Sequence, residues 1–179
     1  TFGEGKSWDG TVGVSTRILF MLAAQGRIVR GRPRGSWTSS QYRWALTSQW
    51  LGEPLAAMDP AAARAGLVEQ WLRQFGPGTT TDIKWWTGWT VRNTQAALAM
   101  LDVVEVDLDN GPGWVLADDL DPIDATADWV ALLPCLDSTV MGWKERDGYL
   151  GAHTPALFDR NGNAGPTSWW NGQVVGGWA

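Results

Sequence analysis

The residues best suited to chemistry in this sequence form a short basic segment that is rich in glycine and proline. Arginines occupy every second position from Arg30 to Arg34, and hydroxyl side chains follow up to Ser40. Guanidinium groups on such a loop suit contacts with phosphate oxygens, or insertion into a minor groove where the potential is negative. The segment therefore predicts contact with duplex DNA, and the alternative is a solvated basic loop without a partner.

Polar side chains at the start of a preceding helix-like segment support this prediction. A helix-turn-helix motif presents the N-terminal end of its second helix to the bases. Helix and loop together favour DNA contact over a solvated basic loop without a partner. The predicted DNA-binding residues are Ser15, Thr16, Arg17, Arg27, Arg30, Arg32, Arg34, Ser36, Trp37 and Arg43.

The distribution of charge agrees with a basic face on an acidic body. The formal net charge is −5, which by itself argues against nucleic acid. Residues 1–50, however, contain seven basic and two acidic side chains, whereas residues 51–179 contain seven basic and seventeen acidic ones. Such asymmetry is typical of a chain with one charged interaction surface.

Other chemistry finds less support in the sequence. Asp137 and His153 could form an acid/base pocket together with the polar segments 142–147 and 158–163. The favoured interpretation is that these segments are polar turns, in which Arg160 pairs with a nearby carboxylate. One cysteine and one histidine allow neither a disulfide within the chain nor a Cys/His metal cluster. A glycine-rich phosphate loop and a nucleophile elbow are absent. We therefore predict no catalytic residue, no metal and no cofactor.

The elements that would position these residues are clearest between residues 59 and 116. Asp59 and Pro60 begin a helix in which Leu67, Val68, Trp71, Leu72 and Phe75 recur at helical spacing, up to Gly76. Thr79 and Asp82 resemble a capping box for a second helix that runs through Trp85 and Trp86 and ends at Gly88. Thr90 caps a third helix, with Leu98 and Leu101 facing inward. Strand-like residues 103–106 and 114–116 flank a turn, so three helices precede a hairpin, as in a winged helix.

Part of this pattern occurs a second time near the start of the chain. Val14, Ile18 and Leu22 predict a helix that ends at Gly26, followed by a strand over 27–30, a loop over 31–41 and a return strand over 42–46. A shift of 76 residues places Leu22 on Leu98. The first copy would lack its opening helices, which suggests a fragment of a longer protein. The second copy has an acidic loop over 107–110 and only Lys84 and Arg92 nearby, so we predict a structural role for it.

The remaining residues predict an acidic linker over 117–128 and β-structure after it. Asn161-Gly162 and Asn171-Gly172 are turn signals, and the second has the form of a two-residue hairpin turn. The predicted fold class is α+β, with tandem winged-helix modules followed by a β-rich C-terminal module. The predicted domains are 1–50, 51–117 and 118–179.

Several segments resemble a bacterial family of winged-helix DNA-binding proteins that includes the AlkZ/YcaQ-type DNA glycosylases. The matching segments are 26–31, 75–79, 85–88 and 157–163. The resemblance implies tandem winged helices curved around duplex DNA. It also implies a Gln-x-Gln or Gln-x-Asp motif, in a first winged helix, that positions water at the damaged nucleotide. None of the glutamines has Gln or Asp two positions later, so that domain is expected upstream of Thr1 and the enzymatic status stays open.

These observations favour duplex DNA binding within a DNA-repair glycosylase-like protein that acts on alkylated or crosslinked DNA. The alternatives are a DNA binder of the transcription-factor type without enzymatic activity, and a protein–protein scaffold without DNA contact. The longest apolar run, from Ile18 to Ala24, is too short to span a bilayer. We expect a cytoplasmic, nucleoid-associated protein with double-stranded DNA as its partner, no membrane contact and an oligomeric state that the sequence leaves open.

Overall fold

The computed structural model describes residues 5, 10, 13–36, 39–122, 124 and 126–179. The chain folds as two compact units, Thr1–Ala57 and Met58–Ala179, which we call the N-terminal unit and the C-terminal unit. Helices alternate with small antiparallel sheets in the described residues, so the predicted α+β class is confirmed. No helix in this part of the chain is long and apolar enough to cross a membrane.

The described part of the N-terminal unit contains a helix, a β-hairpin and a short second helix. The first helix ends before Gly26, whose φ of 69° lies in the left-handed region that favours glycine. In the hairpin Ile28 pairs with Leu46, and Arg30 pairs with Trp44. The elements are α1 (Val14–Ala24), β1 (Ile28–Pro33), β2 (Tyr42–Leu46) and α2 (Thr47–Leu51).

Strand β1 is longer than the sequence predicted. The loop was expected to start at Gly31, but the strand continues to Pro33 past an irregularity in the register after Arg30. The backbone N–H of Arg34 donates a hydrogen bond to the carbonyl of Gln41 (2.7 Å), which keeps the two strands together beyond the irregularity. Arg32, which was expected in the loop, therefore lies on the same strand as Arg30.

The first half of the C-terminal unit contains three helices followed by a hairpin, in the predicted order. Asp59 accepts hydrogen bonds from the N–H groups of Ala61 and Ala62 at 3.0 Å, and Thr79 and Asp82 form the reciprocal capping box. Since each cap satisfies backbone donors that lack a partner within the helix, the starts of these helices follow from local sequence. The elements are α3 (Pro60–Phe75), α4 (Thr80–Thr87), α5 (Val91–Leu98), β3 (Val103–Leu108) and β4 (Gly111–Leu116).

These elements enclose the larger of the two hydrophobic cores. Trp71 and Leu98 are buried, as predicted. Leu67 was expected to join them but is 37% exposed. It is turned by about 100° from Val68 and lies at the edge of the buried stripe beyond Trp71, because an α-helix has about 3.6 residues per turn. The core contains Val68, Trp71, Leu72, Ile83, Ala97, Leu98 and Leu116.

The second half of the C-terminal unit is a three-stranded sheet with short helices. Asn171 and Gly172 form the two-residue turn with φ of 47° and 81°, so the predicted hairpin is confirmed. The short helices were not predicted, because helices of four residues show no hydrophobic period. The elements are β5 (Val130–Leu133), α6 (Ser138–Met141), α7 (Asp147–Leu150), a 3₁₀ turn (Gly151–His153), α8 (Thr154–Leu157), β6 (Thr167–Trp170) and β7 (Gln173–Gly177).

A row of aromatic rings connects the two cores of the C-terminal unit. Ring centroids lie 5.8 Å apart for Trp71 and Phe75, 5.4 Å for Phe75 and Trp143, 5.8 Å for Trp143 and Tyr149, and 5.3 Å for Tyr149 and Trp169. Such distances suit the tilted, edge-to-face and stacked aromatic pairs found here. These tryptophans are therefore packing residues. The predicted division at residues 117 and 118, between a winged helix and a separate module, stays a prediction.

Candidate nucleic-acid interface

The described residues of the predicted DNA-binding set all lie at the surface of the N-terminal unit. Trp37 lies outside the described residues. The first turn of α1 carries three of the exposed side chains, Arg27 lies just before β1, and the hairpin and its loop carry the others. The exposed residues are Ser15, Thr16, Arg17, Arg27, Arg30, Arg32, Arg34, Ser36 and Arg43.

The arginines of this surface carry no carboxylate partner among the described residues. The ion pairs in the described part of the chain join Arg73 to Glu69 (3.5 Å) and to Asp118 (2.9 Å). The hydrogen bond from Arg73 lowers the pKa of Asp118 below its ordinary value, as expected for a paired carboxylate. Glu53 is the acidic residue within the described part of the N-terminal unit, and it forms no ion pair there. The described arginines of this unit are therefore exposed to solvent.

The hairpin directs one arginine toward an aromatic surface. Arg30 and Trp44 are cross-strand partners, so their side chains share a face of the hairpin. The guanidinium carbon of Arg30 lies 4.4 Å from the ring centroid of Tyr42, a cation–π distance. This contact holds the arginine side chain while its charge stays exposed.

A groove of about 510 Å³ lies between α1 and this face of the hairpin. Sequence reasoning missed most of its lining. The alternation of Tyr42 and Trp44 on the return strand predicts that the two rings share a face of the hairpin. It does not predict the opposite wall of the groove, because that wall is formed by the packing of α1. The lining residues are Thr16, Leu19, Phe20, Ala23, Arg30, Ser40, Tyr42 and Trp44.

The hairpin of the C-terminal unit has a different electrostatic character. A cleft of about 730 Å³ lies beside its tip, with Asp107, Asp109, Glu145 and Asp147 in the lining, together with Lys144. The side-chain amide of Asn110 donates a hydrogen bond to Glu145 (3.1 Å). Carboxylates repel phosphate groups, so this cleft does not suit the DNA backbone.

The residues considered for acid/base chemistry serve local structure instead. Asp137 accepts a hydrogen bond from the N–H of Thr139 at the start of α6 (2.9 Å), and His153 is exposed in the 3₁₀ turn. No hydrogen bond joins Asp137 to His153 in the described residues. Asp159 accepts bonds from the N–H groups of Asn161 and Asn163, and those from Asn163 chiefly lower its pKa. Asp137 therefore caps α6 and Asp159 closes a local turn, and the absence of a catalytic residue stays a prediction.

The predicted pairing of Arg160 with a carboxylate is absent from the described residues. Cys135 is free and exposed. Within the residues that the structure describes, no group of three or more His, Cys, Asp or Glu side chains could hold a metal ion.

The described residues therefore form a mixed α/β protein, in which exposed arginines lie on a hairpin beside an aromatic groove. The sequence matches the family model described as DNA glycosylase AlkZ-like over residues 2–179. Because this match covers nearly the whole chain, the chain belongs to the AlkZ-like DNA glycosylase family.

A solved structure shows the same fold. The chain is similar to the Streptomyces sahachiroi DNA glycosylase AlkZ, with a TM-score of 0.77 and 22% sequence identity over 93% of this chain. The match covers 46% of that solved chain, so this sequence spans less than half of its length. A comparison with curated proteins gave no match.

Proposed function

We propose that the N-terminal unit binds duplex DNA through α1 and its basic hairpin, as one of two winged helices in the chain. We further propose that this binding serves a DNA-repair protein of the glycosylase type that acts on alkylated or crosslinked DNA. The observation that carries the proposal is the set of exposed arginines on the hairpin that have no carboxylate partner among the described residues. Family membership supports the repair context.

The proposed division of labour follows from charge. Phosphate contacts from arginine supply most of the sequence-independent affinity for DNA and position the duplex. The basic hairpin of the N-terminal unit can supply such contacts, whereas the acidic tip near Asp107 and Asp109 cannot. The C-terminal unit then acts as a rigid support.

Hydrolysis of the glycosidic bond is not assigned to residues of this chain. The resemblance attributes that step to a Gln-x-Gln or Gln-x-Asp motif, and no glutamine here fits either form. We therefore propose that these 179 residues hold the duplex.

The test replaces Arg30, Arg32 and Arg34 together with alanine and measures duplex affinity at several salt concentrations. Each lost phosphate contact should lower the slope of log affinity against log salt by about 0.9. If all three arginines contact phosphates, the slope falls by roughly 2 to 3 and the affinity falls most at low salt. Parallel reactions with alkylated duplex should show binding without release of the alkylated base.

The matched control is the triple variant in which Arg64, Arg92 and Arg160 become alanine. These arginines are exposed in the C-terminal unit, so the change in net charge is identical. This control should leave the salt slope close to that of the unmodified chain. Equal slopes for all three proteins would contradict DNA contact through the hairpin.

A scaffold function is the second candidate, because the N-terminal unit exposes large apolar side chains. Val14 is 75% exposed, Ile18 50% and Met21 61%, and they lie along one side of α1. Apolar stripes of this kind often pack against another helix. The scaffold alternative predicts no shift of undamaged duplex in a gel at low salt, which is where the DNA proposal predicts the strongest binding.

A further inference from the structure

We infer that the groove between α1 and the hairpin of the N-terminal unit binds a single unstacked nucleobase of DNA. The inference rests on the proposed DNA binding and adds a site to it. The hairpin arginines would hold phosphates in any sequence, whereas this groove would take up one base that has left the helical stack. The groove is defined by Phe20, Arg30, Tyr42 and Trp44.

The aromatic lining supplies the first argument. Tyr42 is 37% exposed and Trp44 36% exposed, and both line a groove whose opposite wall is α1. Rings of this size stack on nucleobases in a sequence-tolerant way, because every base has a π face. The groove volume of about 510 Å³ lies in the range typical of sites for small organic groups.

Charge complementarity supplies the second argument. None of the described residues that line the groove is acidic, and Arg30 lies at its wall, held over the Tyr42 ring. A base arrives with its own phosphate, so a positive charge at the wall and an aromatic surface inside match both parts of a nucleotide. The hydroxyl groups of Thr16 and Ser40 line the same groove and can exchange hydrogen bonds with a base edge.

The C-terminal unit offers an internal comparison. A smaller groove of about 320 Å³ lies between α5 and the other face of its hairpin, lined in part by Leu98, Val103 and Trp114. There the indole N–H of Trp114 donates to the hydroxyl of Thr80 (3.0 Å), and no arginine lines the groove. The tryptophan of that hairpin is engaged with its own unit, whereas Trp44 donates no hydrogen bond among the described residues. The hairpin of the C-terminal unit has Val106 and Gly113 as the cross-strand pair where the first hairpin has Arg30 and Trp44, so it lacks the arginine and the ring of the proposed base site.

The experiment compares three duplexes of one sequence. The first is fully matched, the second carries one unpaired adenosine, and the third carries one unpaired abasic nucleotide at the same place. The abasic bulge reproduces the break in the helix without the base. The complete chain should bind the adenosine bulge about tenfold more tightly than the abasic bulge, a difference of ~1.4 kcal/mol.

Variants of Trp44 identify the groove. Trp44→Leu should reduce the preference for the adenosine bulge to less than twofold, with matched-duplex affinity and its salt slope unchanged. Trp44→Phe keeps a ring and should keep most of the preference. Trp50→Leu is the control, since Trp50 is 60% exposed and lies where a Cβ atom at Gly31 would point, on the face of the hairpin opposite to Arg30. Circular dichroism should show the same helix content in all variants.

Each remaining outcome decides between the two proposals. If the chain binds matched duplex but does not distinguish the two bulges, or if Trp44→Leu retains the preference, the base site is wrong and DNA binding stands. If all three duplexes fail to bind, both the proposed DNA binding and the proposed base site are wrong. If Trp50→Leu loses the preference to the same degree as Trp44→Leu, the site does not lie in this groove.

Discussion

Asp82 shows how one buried carboxylate holds distant parts of the C-terminal unit together. The residue is 2% exposed, and one of its oxygens accepts hydrogen bonds from the N–H (3.0 Å) and hydroxyl (2.8 Å) of Thr79. The other oxygen accepts bonds from the N–H groups of Lys144 and Glu145, each at 2.8 Å. The same side chain therefore completes the cap of α4 and anchors the segment before α7.

We predict that Asp82→Ala destabilises the chain by about 3 kcal/mol, because buried donors would lose a charged acceptor. Urea unfolding measures the change. Asp59→Ala removes an exposed helix cap without a long-range contact and should cost about 1 kcal/mol. Equal losses of unfolding free energy for the two variants would show that the hydrogen bonds from Lys144 and Glu145 to Asp82 do not contribute to stability.

Arg146 has a comparable role with the opposite charge. Its guanidinium lies 4.2 Å from the ring centroid of Phe158 and 5.5 Å from that of Trp85, and it donates to the carbonyl of Val140 (2.9 Å). Burial lowers its pKa below the ordinary value. This arginine is a packing residue, in contrast with the exposed arginines of the hairpin in the N-terminal unit.

Among the elements, the segment before α4 approaches the core unusually closely. Gly78 and Trp114 exchange backbone hydrogen bonds of 3.1 and 2.8 Å, so this segment lies along β4. A Cβ atom at Gly78 would collide with the six-membered ring of Trp71, which is buried and cannot move aside. Glycine is required here by the close approach of backbone to indole.

We predict that Gly78→Ala destabilises the chain by roughly 1 to 3 kcal/mol through overpacking. Gly66→Ala is the matched control, because a Cβ at this position of α3 meets nothing within 4 Å. It should be stabilising by about 0.5 to 1 kcal/mol, since alanine favours a helix interior over glycine. Thermal unfolding of both variants tests the pair, and a neutral Gly78→Ala would mean that Trp71 can be displaced without cost.

The elements that sequence could predict are those with local signals. Helices α3 and α4 were predicted correctly, because each signal for a helix end involves residues close together in the sequence. These signals are Asp59 with Pro60, Thr79 with Asp82, and Gly88. The hydrogen bonds that the N–H groups of Lys144 and Glu145 donate to Asp82 join residues more than sixty positions apart, and no local pattern encodes them. The short helices α6, α7 and α8 depend on such packing.

The candidate site also has one feature that the local sequence predicts and one that depends on tertiary packing. Exposure of the arginines followed from their loop-like composition and was predicted. The groove was not, because it depends on the register that pairs Arg30 with Trp44 and on the packing of α1 beside that face. Residue types on a strand reveal a shared face, but the element that forms the opposite wall is a tertiary property.

At the scale of the whole molecule, burial is distributed very unevenly. The C-terminal unit contains two hydrophobic cores. In the described part of the N-terminal unit no hydrophobic side chain is buried, and Val14 and Phe20 are 75% and 74% exposed. Hydrophobic burial is the dominant favourable contribution to folding, so the two units should differ strongly in local stability.

Hydrogen exchange should reveal this difference and its relation to DNA. Without DNA, the amides of β1 and β2 should exchange much faster than those of α3 and α4, because few apolar contacts oppose opening of the N-terminal unit. Duplex at about 100 times its Kd should slow exchange in β1 and β2 by up to roughly 100-fold, because a ligand that binds only the folded form stabilises it by about 2.7 kcal/mol. The variant without Arg30, Arg32 and Arg34 should lose this protection while its exchange in α3 stays unchanged. Slower exchange in α3 and α4 on addition of duplex, with β1 and β2 unaffected, would place the DNA on the C-terminal unit and contradict the proposed interface.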